Sequence, residues 1–215
     1  FLPLKSYANI TEANALRLNW EDVVPKGKLN YIMGNPPFVG ASMMTKLQKE
    51  EAVSIFGKGK RVNSIDYVGA WYHKAAALLE NTVVKAAFVS TNSITQGEQV
   101  APLWEKLLNI YKVHIDFAYR TFKWNSEAKE KAAVHCVIIG FSNAYNTHPK
   151  YIYTNGVTRQ EAQNINPYLV DAPDILISSR GSALCDVPRM TKGNQPSDGG
   201  NLILSQKERD ELLSK

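Results

Sequence analysis

The chain carries 215 residues, 44% of them apolar and 21% charged, which is enough apolar side chain for a packed core and excludes a disordered or fibrous chain. Lys and Arg number 25 against 20 Asp and Glu, leaving a net charge of +5 and an isoelectric point near 9.1, a balance that suits an anionic partner. Cys136 and Cys185 stand far apart with no signal segment or transmembrane run beside them, so a reduced protein of the cytoplasm, without a membrane partner, is expected.

In chain order, Glu12, Glu21 and Asp22 read as solvated charges. The apolar run at residues 29–33 leads into Asn35, Pro36, Pro37 and Phe38, and a buried strand is predicted over its residues 31–33. A basic group follows, with Lys46, Lys49, Lys58, Lys60 and Arg61. It fits contact with phosphates, and it fits equally the solvated loop that Gly-Lys-Gly-Lys sequences usually form. Residues 64–79 open with Ser64, a capping type, and Asp66, then set Tyr67, Ala70, Trp71, Ala75, Leu78 and Leu79 at helical spacing. A strand is predicted over residues 86–90. A helix is predicted over 100–111, with Pro102 early and Leu103, Leu107, Leu108 and Tyr111 on one side.

Strands at 113–117 and 134–141 have no helix between them, which predicts an antiparallel hairpin with a long connection over 119–132. Phe122 and Trp124 sit in that connection among Arg120, Lys123, Lys129 and Lys131, where no amphipathic pattern explains them. From residue 145 Pro, Asn, Asp and Gly become frequent and helical periodicity fades, so a domain division is placed at Ser142, giving parts 1–142 and 143–215. Ser205 opens a capped terminal helix. Strands alternating with helices predict an α/β fold with a mostly parallel sheet covered on both faces. His73, His114 and His135 lack metal-ligand spacing, so no metal is expected.

Residues 35–38 carry the chemistry. An amine on an aromatic ring is a poor nucleophile because its lone pair is delocalised. Acceptors on its two N–H bonds let it pyramidalise in the transition state. The Asn35 side-chain oxygen can be one acceptor and the Pro36 carbonyl, held by two φ-locked prolines, the other; Phe38 offers a stacking face. A strand followed by an ordinary Pro-Pro turn is the alternative for the bare tripeptide.

The string GNPPFVG at residues 34–40 resembles motif IV of S-adenosyl-L-methionine-dependent amino-methyltransferases, the adenine-N6 DNA class in particular. Further segments resemble, in the expected order, the methylase part of the MmeI-like fused restriction and modification enzymes. They are NALRLNW at 14–20, similar to motif III, FVSTNSI at 88–94, RTFKW at 120–124, AVHCVIIGF at 133–141 and GNQPSDGGNLIL at 193–204, near the start of the target-recognition region.

The resemblance implies a class I methyltransferase, a Rossmann-like three-layer sandwich. Here it would be incomplete, because no glycine-rich strand-to-helix turn precedes the motif III segment. A piece of a longer enzyme is thus expected, with residues 9–16 lacking their usual neighbour and packing irregularly or on another edge. It implies Asn35, Pro36, Pro37 and Phe38 as catalytic residues. The cofactor, S-adenosyl-L-methionine, would be touched by Asn19, Trp20 and Asn35, Asn19 standing where the family has an acidic residue. A flipped base would stack between Phe38 and Phe122, with Trp124 the second choice for Phe122; the alternative is that both aromatics cap the sheet edge. Lys58, Lys60, Arg61, Arg120 and Lys123 would meet the backbone of double-stranded DNA. The expected activity is methylation of adenine N6 within a bacterial restriction-modification enzyme whose remaining domains are further partners. The rivals are methylation of RNA or of a glutamine amide in protein, and a DNA-binding scaffold without catalysis.

Overall fold

The computed structural model describes residues 10–57, 62–123, 134–144, 148–156, 158–188 and 203–214. Short runs rich in β-branched and small apolar residues form a six-stranded sheet in the order β1-β2-β4-β3-β5-β6. β1 (Tyr31–Gly34) lies parallel to β2 (Lys85–Thr91), with Gly34 opposite Phe88. β4 (His135–Ser142) is antiparallel to β2, and β3 (His114–Lys123) is antiparallel to β4. β1, β2 and β3 therefore all point the same way. β5 (Lys150–Thr154) adds parallel to β3, and β6 (Thr158–Ala162) antiparallel to β5. The sheet is mixed where the sequence predicts it mostly parallel, because the β3–β4 hairpin folds back and places β4 between β2 and β3.

α2 (Lys46–Phe56) and α3 (Gly69–Leu79) fill the crossover from β1 to β2, and α4 (Val100–Asn109) fills that from β2 to β3. They gather on the sheet face that carries Ala86, Phe88 and Ser90. Tyr72 of α3 joins the layers: its ring stacks on Phe141 at 5.2 Å and meets Phe88 and Trp104 edge-on. The Tyr72 hydroxyl shares a 2.8 Å hydrogen bond with Ser90. A Cβ on Gly69 would lie 2.6 Å from Ile65 Cγ2 and 3.2 Å from both Leu103 and Phe56, so only glycine lets the three helices approach this closely. On the other sheet face the Phe117 ring lies over Gly140, where a Cβ would come within 2.0 Å. Beside it Tyr119 and Tyr153 stack at 4.3 Å.

The helix predicted from Ser64 begins at Gly69 without a side-chain cap, because Val68 stands at its N-cap and Ser64 ends a separate 3-10 turn, while the carboxylate of Asp66 is directed across the fold. Lys46 and Lys49, the first part of the basic group read as either a phosphate contact or a solvated loop, lie in α2, which starts at a Thr45–Gln48 capping box and buries Ala52 and Phe56. β3 runs on to Lys123, so Arg120, Phe122 and Lys123 lie in a strand and not in the predicted connection. Residues 10–18 form no strand. The sheet also continues past Ser142, and the chain divides into compact units Phe1–Ser178 and Ser179–Lys215. The second unit holds α5 (Gln206–Leu213), capped by Ser205 and Glu208 as predicted. No helix among the described residues is long and apolar enough to cross a membrane.

Candidate active site

Because β1, β2 and β3 run in one direction, their carboxyl ends share one rim of the sheet, where ligands bind in open α/β folds. β1 delivers residues 35–38 there, β2 delivers Thr91–Thr95, and β3 delivers Phe122 and Lys123. The rings of residues 36–37 force the chain out of the ladder after Gly34. Pro36 is buried and anchors the loop, Asn35 is exposed, and Phe38 is half-buried. The Val39 N–H donates to the Pro37 carbonyl at 3.2 Å. A bulge between Tyr119 and Phe122 turns the end of β3, leaving Arg120 exposed and Phe122 half-buried opposite Cys136.

The loop after Phe38 is tied down by two consecutive residues. The Tyr67 N–H donates to the Val39 carbonyl at 2.9 Å, and the Ala41 N–H donates to Asp66 Oδ1 at 2.9 Å. Asp66 Oδ2 accepts from the hydroxyls of Ser93 at 2.5 Å and Thr91 at 3.4 Å. The Asp66 N–H donates to Gln99 Oε1 at 2.9 Å.

A second clamp holds the segment that ends in Asn19 and Trp20. The Lys74 ammonium donates to the carbonyls of Ala15 and Leu16 at 2.9 and 2.8 Å, and to that of Leu18. The buried Glu51 carboxylate accepts from Asn14 Nδ2 at 2.9 Å, from Arg17 Nε at 2.7 Å and from the Tyr67 hydroxyl. The phenol hydrogen bond, with Arg17 behind it, holds Glu51 below the ordinary carboxylate range against the opposing effect of burial. Burial and the facing carboxylate push the Tyr67 phenol up, so it stays a donor. Burial lowers the Lys74 ammonium from its ordinary value.

Asn19 caps the short helix α1 (Trp20–Val23): its Oδ1 accepts from Glu21 N–H at 3.3 Å and its Nδ2 donates to Asp22 Oδ1 at 3.1 Å. One amide N–H and one lone pair remain for a ligand. The Trp20 indole donates to the Ala15 carbonyl at 2.7 Å, and the Lys74 ammonium lies 5.4 Å from its ring centroid. A shallow cavity of about 220 Å³ is lined by Asn19, Trp20, Lys74 and Ala77. Lys58, Lys60, Arg61 and Trp124 lie outside the described residues. Asp66, Glu51 and Lys74, which fix these candidate segments, are residues that sequence reasoning missed.

A mixed sheet with this strand order, carrying an Asn-Pro-Pro-aromatic loop on the carboxyl rim, defines the class I methyltransferase fold. Residues 1–154 match the family described as MmeI, DNA-methyltransferase domain, and residues 171–215 match the MmeI target recognition domain. The chain belongs to the MmeI DNA-methyltransferase family. It is 41% identical, over its whole length, to DNA methyltransferase A of Bacillus subtilis (strain 168), of which it spans 24%. It also aligns over 99% of its length, at 44% identity and a TM-score of 0.91, with the structure of the type IIL restriction-modification enzyme MmeI in complex with DNA, of which it spans 29%.

Proposed function

We propose that this chain is the amine-gripping part of a restriction-modification methyltransferase that transfers a methyl group to adenine N6 in double-stranded DNA, in a bacterial cytoplasm. The observation that carries this reading is the shared rim: residues 35–38, Thr91–Thr95 and Phe122 lie at the carboxyl ends of β1, β2 and β3, three strands of the same direction, with antiparallel β4 between the last two. S-adenosyl-L-methionine, when bound, supplies an electrophilic methyl group. Asn19 and Trp20 would hold its adenine end, since Asn19 keeps a free donor and acceptor and Trp20 a ring face, and Asn35 would lie against it as well.

The amine would donate its two N–H bonds to Asn35 Oδ1 and the Pro36 carbonyl. The Pro36 carbonyl is held by two φ-locked prolines before substrate arrives, which limits the reorganisation needed as positive charge develops on nitrogen. Phe38 and Phe122 would take the two faces of an extruded base, each contact being worth about 1 to 3 kcal/mol against the few kcal/mol of unstacking. Pro37 keeps the loop rigid. Arg120 and Lys123, exposed at the rim, suit the DNA backbone, and Lys58, Lys60 and Arg61 share that proposed role. Trp124 is the second candidate for the stacking role of Phe122.

The test is methyl transfer from labelled S-adenosyl-L-methionine by the full-length protein to DNA, RNA and protein substrates, with Asn35→Ala as control. Label is expected in duplex DNA, and a drop of about 10² to 10³ in the Asn35→Ala variant, the usual cost of one preorganised transition-state contact. Label only in RNA or protein, or full DNA activity in the variant, overturns the reading.

A further inference from the structure

Asp66 is buried at the catalytic rim, 7% exposed, and the chemistry above gives it no task. No ion pair to it occurs among the described residues. A carboxylate taken out of water without a cation is costly, so its retention calls for an explanation beyond packing. Its two oxygens bridge two segments. Oδ1 holds the Ala41 N–H just after the Asn35–Phe38 loop, and Oδ2 holds the hydroxyls of Ser93 and Thr91 at the end of β2. Thr91 and Ser93 are themselves 2.6 Å apart, oxygen to oxygen, so the group forms a closed set.

The next residue completes the grip. Tyr67 N–H takes the Val39 carbonyl, so the chain is pinned on both sides of Gly40. The Tyr67 hydroxyl reaches Glu51, which holds Asn14 and Arg17 in the segment leading to Asn19 and Trp20. One dipeptide thus touches both the loop proposed to hold the amine and the segment proposed to hold the cofactor.

We propose that Asp66 is a positioning residue that sets the rate of methyl transfer by fixing residues 35–38 against the end of β2, without itself touching base or cofactor. The proposal rests on the amino-methyltransfer reading above.

The experiment combines steady-state kinetics with amide hydrogen exchange on the full-length protein, comparing wild type, Asp66→Ala, Asp66→Asn, Ser93→Ala and Asn35→Ala. Asp66→Ala lowers kcat about 10²-fold, the loss expected when a reacting group is displaced by about 1 Å, with both KM values within about threefold of wild type. Asp66→Asn recovers most of kcat, because its amide oxygen still accepts from Ala41 while its NH2 donates to the two hydroxyls. Ser93→Ala costs about tenfold, as for the loss of one hydrogen bond to a charged acceptor. Exchange over residues 39–44 quickens in Asp66→Ala and not in Asn35→Ala, while α3 keeps its protection.

An Asp66→Asn variant as impaired as Asp66→Ala, a raised KM at unchanged kcat, or unaltered exchange over 39–44 overturns the proposal. Should Asp66→Ala not fold, Asp66→Asn and Ser93→Ala carry the test, and wild-type kcat in Ser93→Ala sinks it. A wild-type protein that leaves DNA unmethylated removes the amino-methyltransfer reading alone. The exchange comparison still decides whether Asp66 holds the loop.

Discussion

The two ends of the parallel strands differ in what they offer a ligand. At the amino ends of β1, β2 and β3 lies the larger concavity, about 990 Å³, lined by Lys26, Leu29, Thr82, Val83, Ile110 and Lys112 among others. Its lining is where the chain turns: Thr82 Oγ1 donates to the Leu79 carbonyl that ends α3, and Asn81 and Lys112 take positive φ where helix gives way to strand. The carboxyl rim carries a proline-stiffened loop, a buried carboxylate and a half-buried aromatic. Concave volume follows from how helices leave a sheet. A site follows from polar groups held in place at the surface.

The largest break between the two ends is expected from Asn35→Ala, which should cut methyl transfer by about 10² to 10³ in the full-length protein and leave the melting temperature within a degree or two, because Asn35 is exposed. Next comes acid. Burial between Phe56 and Tyr111 pushes the His73 imidazole from 6.5 down to about 4. The unfolded chain binds a proton below about pH 6.5 and the folded chain only below about pH 4, so stability should fall as pH drops through that window. The loss amounts to about 3 kcal/mol and is measurable by denaturant titration at each pH. Because His73 belongs to the common core, this loss weakens both ends together, and a His73→Gln variant should flatten it.

Phe122→Ala should slow turnover about tenfold to a hundredfold, the worth of one base stack, with the extrusion of a fluorescent base analogue as the direct readout. Arg120→Ala and Lys123→Ala should each reduce the salt slope of DNA affinity by about one while leaving kcat at saturation. The smallest effect belongs to the opposite end. Asn81→Gly relieves a positive φ of 58° and should stabilise by less than about 1 kcal/mol with activity unchanged. Methyl transfer lost in Asn81→Gly would move the site to that end.

Local pattern made the strand-to-loop passage into residues 35–38 legible, because β-branched residues and prolines act within a few positions of themselves. The hairpin of β3 and β4 was legible for the same reason. Asp66 was not: beside Ser64 it looks like the opening of a helix, and only the folded chain brings Ala41 and Ser93 to its oxygens. α2 was hidden by Lys46, Lys49, Glu50 and Glu51 around few buried positions, although Thr45 and Gln48 have capping-box spacing. Lys74 reads as an exposed charge on a helix until residues 14–18 fold over it. The continuation of β3 to Lys123 depends on pairing with Cys136 and His135, which charge and polarity around Phe122 obscure.

The most direct measurement is mass spectrometry of nucleosides released from duplex DNA treated with the full-length protein and S-adenosyl-L-methionine, beside the same DNA treated with Asn35→Ala. N6-methyladenine is expected from the wild type, and its loss from the variant. Methylcytosine, or equal methyladenine from both proteins, would contradict that expectation.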